Sequence, residues 1–200
     1  MALLVLGLAI FIGVHSIRVL AGPWRAAQIE RFGIRAWRGV FALLSILGVV
    51  LTVAGYGLAR RYPVPVWLPP PGMAHLVALL TAIAFVMIVA AYVPNNHIKR
   101  VLGQPFVSGV ALWAFAHLLA NGTLHAIVLF GVFFIWALVE VRAGRRRDRE
   151  AGVVYPPGSA SGDALAVVIG LVAWAVFAFW LHGVLIGVRV GVVVSVRGHR

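Results

Sequence analysis

Residues 105–141 read PFVSGVALWAFAHLLANGTLHAIVLFGVFFIWALVEV. Two apolar runs, Pro105–Ala120 and Thr123–Val141, are separated only by Asn121-Gly122. That dipeptide is a tight-turn signal, so the stretch predicts a helical hairpin rather than one long kinked helix. The alternation of a barrel strand is absent. A membrane-spanning helix needs about 20 apolar residues, which makes the first run short and the second sufficient.

Four further runs lie outward from this hairpin: Ala2–Leu20, Trp37–Leu58, Ala74–Val93 and Ala164–Val188. The fold class predicted is therefore all-α, a polytopic transmembrane helical bundle of about six helices. Composition agrees. The 200 residues are 62% hydrophobic and 11% charged, with a mean hydropathy of +1.02, against about 45–50% apolar and about 25% charged in a soluble domain. A core of this size cannot hide that excess, so the solvent must be lipid. This excludes a cytosolic enzyme, a disordered tail and a disulfide scaffold. There is no Cys, hence no thiolate nucleophile or Cys-bound metal. The first run has no Lys or Arg before it and is longer than a usual signal-peptide core, which predicts a retained helix.

The formal charge of +12 records orientation. Eleven basic residues fall in alternate loops: Arg25, Arg31, Arg35 and Arg38; Lys99 and Arg100; Arg142, Arg145, Arg146, Arg147 and Arg149. The opposite side carries Arg60, Arg61, Arg189, Arg197 and Arg200. The positive-inside rule places the first set in the cytoplasm and both termini on the outer, periplasmic side. Arg18, near the inner end of the first helix, snorkels. No nucleic-acid partner is expected; the expected partner is the bilayer itself. Residues 22–36 alternate apolar and basic side chains and read as interfacial. Residues 142–163 read as a cytoplasmic Arg-rich linker before the last helix of one membrane domain spanning residues 1–200. The Arg145–Glu150 run reads as a topology anchor that touches lipid headgroups.

An ionisable group within a span is a candidate site by default. His15, His117, His125 and His182 qualify, while His75 and His97 read as interfacial. Glu140, at the inner end of the fifth run, is the lone acid within a span. Carboxylate-based ion paths, paired-carboxylate chemistry and a Ser-His-Asp triad therefore find no support. Imidazole without carboxylate, among Trp113, Phe115, Trp136, Trp174, Phe177 and Trp180, suits an axial ligand of haem iron. The plain alternative is an imidazole hydrogen-bonded to a neighbouring helix.

Three stretches carry a resemblance: Gly13-Val-His15-Ser-Ile-Arg18 followed by Trp24-Arg25 and Trp37-Arg38-Gly39; Gly109-Val-Ala-Leu-Trp113-Ala-Phe-Ala-His117-Leu-Leu-Ala-Asn121-Gly122; and Trp180-Leu-His182-Gly183 with Gly187. Over nearly its whole length the chain resembles the NnrU family of bacterial membrane proteins. The family's founding members are tied to nitrite and nitric oxide reduction in denitrification. The family also includes 15-cis-zeta-carotene isomerases, integral membrane proteins with haem b. The resemblance implies a multi-pass protein of the bacterial inner membrane, a haem b cofactor and axial ligands at His15 and His117. It also points to a lipophilic substrate if the protein is an enzyme. The isomerases carry a Cys three residues before the second histidine; here that residue is Ala114, which rules out a switch to thiolate ligation.

Helix position adds a second candidate pair. His15 and His117 are expected roughly 12 Å apart along the membrane normal, from about 1.5 Å per residue. His182 matches the depth of His117 better. Trp113 and Phe115 are expected to line the pocket, and Arg18 to pair with a haem propionate. A more distant likeness joins Gln104-Pro105-Phe106-Val-Ser-Gly109 to the S-adenosylmethionine region of isoprenylcysteine-type methyltransferases. Here Gln104 stands for the family's His, Phe106 or Val107 for its Tyr, and Arg145–Arg147 for its acid pair. Pro105 is also explained as a helix-start residue. Three function classes follow: a haem-binding protein supporting nitrogen-oxide metabolism, a membrane enzyme for isomerisation or methyl transfer, and an assembly protein without cofactor.

Overall fold

The computed structural model describes residues 1–186. Eight helices account for most of them: α1 (Ala2–Leu20), α2 (Gly22–Ala59), α3 (Met73–Ala90), α4 (His97–Leu102), α5 (Pro105–Ala120), α6 (Leu124–Glu150), α7 (Ala160–Val176) and α8 (His182–Ile186). No strand occurs among the described residues; one isolated bridge joins Pro65 and Thr123. The helical bundle expected from the sequence is the fold. Among the described residues, five helical stretches are long and apolar enough to cross a bilayer. The 16 residues of α5 reach about 24 Å, short of the roughly 30 Å hydrocarbon core.

Local chemistry sets the ends. Pro105 opens α5, where its missing N–H costs no bond. The Asn96 side chain caps α4 by accepting from Lys99 N at 2.7 Å. Ser159 caps α7 by accepting from Gly162 N at 3.1 Å, with Asp163 in the favoured first turn. The stretch 22–36, expected to be interfacial, is helical, and α2 is kinked where Gly33 adopts φ 83°. That conformation suits glycine alone among common residues, and it divides α2 into a short first segment and a longer second one.

Two boundaries differ from the sequence reading. Of the expected linker 142–163, residues 142–150 continue α6 and 160–163 open α7, so only 151–159 lie outside helices. Arginines are good helix formers, and Arg146–Glu150 adds an i,i+4 pair. The last expected run, Ala164–Val188, is interrupted by a π-turn at Phe177–Leu181, and its final two residues lie outside the described part.

Packing orders the helices as a row: α2 against α1, α1 against α6, α6 against α5, α5 against α3, and α3 against α7. Small residues let the backbones close, as lipid-solvated bundles require. A Cβ at Gly55 would overlap the Leu4 backbone, one at Gly48 would press on Phe11, and one at Gly170 on Val86. At one end Arg60 Nη1 donates to the Ile186 carbonyl at 2.7 Å, which joins the end of α2 to the end of α8. There the 60–72 loop also covers the α5–α6 turn. Val66 and Trp67 donate to the Gly122 carbonyl at 2.8 and 3.1 Å, and the Trp67 carbonyl leaves no room for a Cβ on Gly122. The opposite, basic end gathers the junction of α1 and α2, α4 and the end of α6.

A histidine-bearing aromatic seam

The seam follows α6. His15 projects from α1 against Trp136, with ring centres 6.1 Å apart, and against Phe41 of α2 at 4.9 Å. Its own helix supplies Phe11, stacked at 4.1 Å. His117 of α5 stacks on Phe130 of α6 at 4.5 Å and lies 4.8 Å from Trp113. The two sites are joined through rings: Phe11 meets Phe133 at 5.7 Å, and Phe133 meets Trp113 at 6.0 Å.

Both imidazoles make the same local bond. His15 Nδ1 lies 2.7 Å from the Phe11 carbonyl, and His117 Nδ1 lies 2.8 Å from the Trp113 carbonyl. A carbonyl only accepts, so Nδ1–H donates, and each Nε2 keeps its lone pair. This is the tautomer a metal ligand needs, with the ring orientation fixed from behind. A third feature lies beside His15: the buried Trp136 Nε1–H has no acceptor among the described residues. A buried donor of that kind costs about 1–3 kcal/mol unless something receives it.

A recurrent pattern underlies the seam. An aromatic residue stands four positions before His15 (Phe11) and before His117 (Trp113), one helical turn back on the same face. Before His182 the aromatic Phe177 is five positions back. The π-turn at Phe177–Leu181, whose hydrogen bonds run over five residues, brings that ring to within 6.1 Å of the imidazole. Such turns within α-helices often mark functional positions.

The expected site residues are therefore placed unequally. His117 and Trp113 lie together. His182 follows the π-turn, with its ring 6.1 Å from that of Phe177, which meets Phe85 of α3 at 5.7 Å. His15 contacts Trp136 whereas His117 contacts Phe130, six residues apart on α6, which is about 9 Å of helix. The rings of His15 and His117 do not touch. Arg18 follows His15 by less than a turn towards the basic end and has no ion-pair partner among the described residues. Phe115 leaves the pocket: it is 40% exposed and packs on Phe134 at 5.8 Å. Asn121 is a turn residue whose Nδ2 donates to the His117 carbonyl at 2.9 Å.

His125 is buried, with Nε2 3.3 Å from Thr123 Oγ1 and its ring 5.0 Å from Tyr56. Glu140 meets Arg147 at 3.5 Å, so the one acid expected within a span has a cation beside it. No group of three or more His, Cys, Asp or Glu able to hold a metal ion occurs among the described residues; haem, which supplies four nitrogens of its own, does not require one.

Polar networks at the basic end were not read from the sequence. Asp148 accepts from Gln104 Nε2 at 2.6 Å and from the Tyr155 hydroxyl at 2.7 Å. The Gln104 region thus spends its polar groups on bracing α5 against α6, beside a cleft of ≈ 250 Å³ lined in part by Arg100, Gly103, Arg145 and Tyr155. His97 Nδ1 contacts Asp163 Oδ2 at 2.7 Å. The signals were present as helix caps, since Asn96 and Ser159 each precede a helix by one residue and Asp163 falls in a first turn.

A multi-pass membrane bundle with imidazoles set in an aromatic seam is the class this geometry defines. A family model described as NnrU protein matches residues 3–190, and the chain belongs to the NnrU family. No curated protein and no solved structure matches it.

Proposed function

We propose that this protein binds haem b in the membrane and supports nitrite and nitric oxide metabolism, with its basic end in the cytoplasm and both termini in the periplasm of a bacterial inner membrane. The observation that carries the reading is the shared Nδ1–H···O=C bond at His15 and His117, which leaves two basic Nε2 atoms among aromatic rings. His117 is the residue that would hold the iron. His182, which follows the π-turn, and His15, presented by the same chemistry further along α6, are the two candidates that would supply a second ligand. Trp113 and Phe130 pack flat, apolar surface beside His117. The unpartnered Trp136 Nε1–H and Arg18 are donors suited to a carboxylate near His15. Haem bound there would supply a redox-active iron whose potential would follow from the histidines that hold it and the low polarity around them.

The denitrification role rests on family membership, and no catalytic step is assigned to any residue. Isomerisation is disfavoured because Ala114 stands where the isomerases carry Cys. Methyl transfer is disfavoured because Asp148 and Gln104 are already engaged with each other. The test is an absorption spectrum of protein purified in detergent after expression with added haem precursor. The expected result is a Soret band with bis-histidine character that His117→Ala removes. Colourless wild-type protein, or a band untouched by His117→Ala, overturns the reading.

A further inference from the structure

At the basic end α6 carries Ile135, Val139, Arg142 and Arg146 at spacings of four, three and four, which aligns them as one stripe along the helix. The apolar half is open to the surroundings: Ile135 is 65% and Val139 45% exposed. The basic half forms a groove of ≈ 600 Å³ with Arg145, Arg149, Ala143 and Val19, the last from the end of α1. A surface reading apolar and then basic along the helix axis matches the boundary between acyl chains and headgroups.

The local acids do not neutralise this groove. Glu140 faces Arg147 at 3.5 Å, and Asp148 holds Gln104 and Tyr155. Glu150 reaches Arg146 at 3.6 Å in an exposed pair of the kind worth little. Arg145 Nε donates to the Leu102 carbonyl at 3.2 Å. Among the described residues Arg142 and Arg149 form no ion pair, though they stand seven positions apart, two turns along one face. Guanidinium forks suit the oxygens of a phosphate.

We propose that this groove seats one anionic phospholipid of the adjoining leaflet, its phosphate between Arg142 and Arg149 and its first acyl segment along Val139 and Ile135. The inference is independent of haem. It differs from a general attraction of basic loops to the membrane in naming two arginines and an apolar stripe that act together.

The test is native mass spectrometry of the full chain in detergent, titrated with phosphatidylglycerol or phosphatidylcholine at matched concentration, with glycerol 3-phosphate as a competitor that has the headgroup phosphate but no tail. The expected result is one bound phosphatidylglycerol, favoured about tenfold or more over phosphatidylcholine. Arg142→Gln with Arg149→Gln should abolish that preference. Arg35→Gln with Arg38→Gln, which removes equal charge from the same end, should weaken binding less than about threefold. Val139→Gln keeps every charge and should weaken lipid binding by itself. Equal loss in the two double variants would show diffuse attraction and overturn the proposal. So would the absence of any headgroup preference, or full competition by glycerol 3-phosphate, which would mark a water-side anion site with an idle apolar stripe.

Discussion

His15 and His117 have almost the same first surroundings and very different second ones. Each donates Nδ1–H to the carbonyl of an aromatic residue one turn back, and each leans on aromatic rings from α6. The helices that carry them are held differently. α5 is clamped to α6 at both ends. The Asn121–Thr123 turn closes one end, and the Gln104–Asp148–Tyr155 network closes the other. α1 is tied chiefly to α2, through glycines that let Gly7, Gly48 and Gly55 meet backbone directly, and it reaches α6 mainly through ring contacts. A local motif sets the tautomer of a histidine; the clamps on its helix set where that histidine can act. On this argument, if the proposed haem is held, His117 would be its fixed ligand, and His15, should it be the second, the adjustable one.

The comparison breaks most visibly at the histidines themselves. His117→Ala is expected to remove essentially all haem absorbance. Of His15→Ala and His182→Ala, one should convert the bis-histidine spectrum to a five-coordinate one while retaining the cofactor, and that variant identifies the opposite ligand. Loss of haem in His15→Ala with an unchanged spectrum in His117→Ala would reverse the assignment of fixed and adjustable ligand. A packing change gives the next largest effect. A side chain at Gly48 would press on Phe11, the ring stacked on His15, and overpacking of this kind costs about 1–3 kcal/mol. Gly48→Val should lower the thermal midpoint and alter the spectrum only if His15 is a ligand. Gly57→Ala, on the same helix with open space around it, is the matched control and should change neither.

A smaller effect tests the helix row away from both histidines. Trp174 Nε1 donates to Thr81 Oγ1 at 3.0 Å, joining α7 to α3. Interhelical hydrogen bonds in bilayers are worth about 0.6 kcal/mol on average. Trp174→Phe should therefore shift the melting midpoint slightly and leave the haem spectrum as it is. A large spectral change would mean that α7 positions His182 through this bond.

The difference between the two histidines also explains what could be read from the sequence. Helix number and the α5–α6 hairpin follow from runs of apolar residues and one Asn121-Gly122 turn, both one-dimensional signals. The ring contacts were implicit in Phe11-x-x-x-His15 and Trp113-x-x-x-His117, because residues four apart share a helix face; the tautomer was not, because its acceptor is a main-chain carbonyl that any residue would offer. The expected offset in depth between these histidines reappears as their contacts six residues apart on α6. The order of the helices in the row was not legible, since apolar faces in lipid carry no strong pattern to say which neighbour they meet. Nor was the clamp: Gln104, Asp148 and Tyr155 lie 44 and 7 positions apart, and a lone Asp among arginines reads as solvated. The π-turn was hidden for a related reason, because Phe177 to Leu181 has the composition of any spanning helix.

The last test belongs to that clamp, and it concerns His117 alone. The Tyr155 hydroxyl donates its proton to Asp148 Oδ2 at 2.7 Å and lies 2.9 Å from the Gly103 carbonyl. Burial, with the Asp148 carboxylate beside it, pushes its pKa up to about 12 from 10.0. The fold thus favours the protonated phenol. Its contribution to stability is complete below pH 10 and is lost as the pH rises through about 12. Tyr155→Phe gives up the hydroxyl's bond at any pH, at about 0.5–1.5 kcal/mol, and should flatten the loss of stability that wild-type protein shows between pH 10 and 12. Thermal melts across that range check the sign. If the clamp fixes α5 on α6, the same variant should broaden the haem spectrum through His117 while leaving the effect of Gly48→Val on the His15 side unchanged. Equal sensitivity of both histidines to Tyr155→Phe would mean that α1 and α5 move as one unit, and the distinction between a fixed and an adjustable ligand would have to be given up.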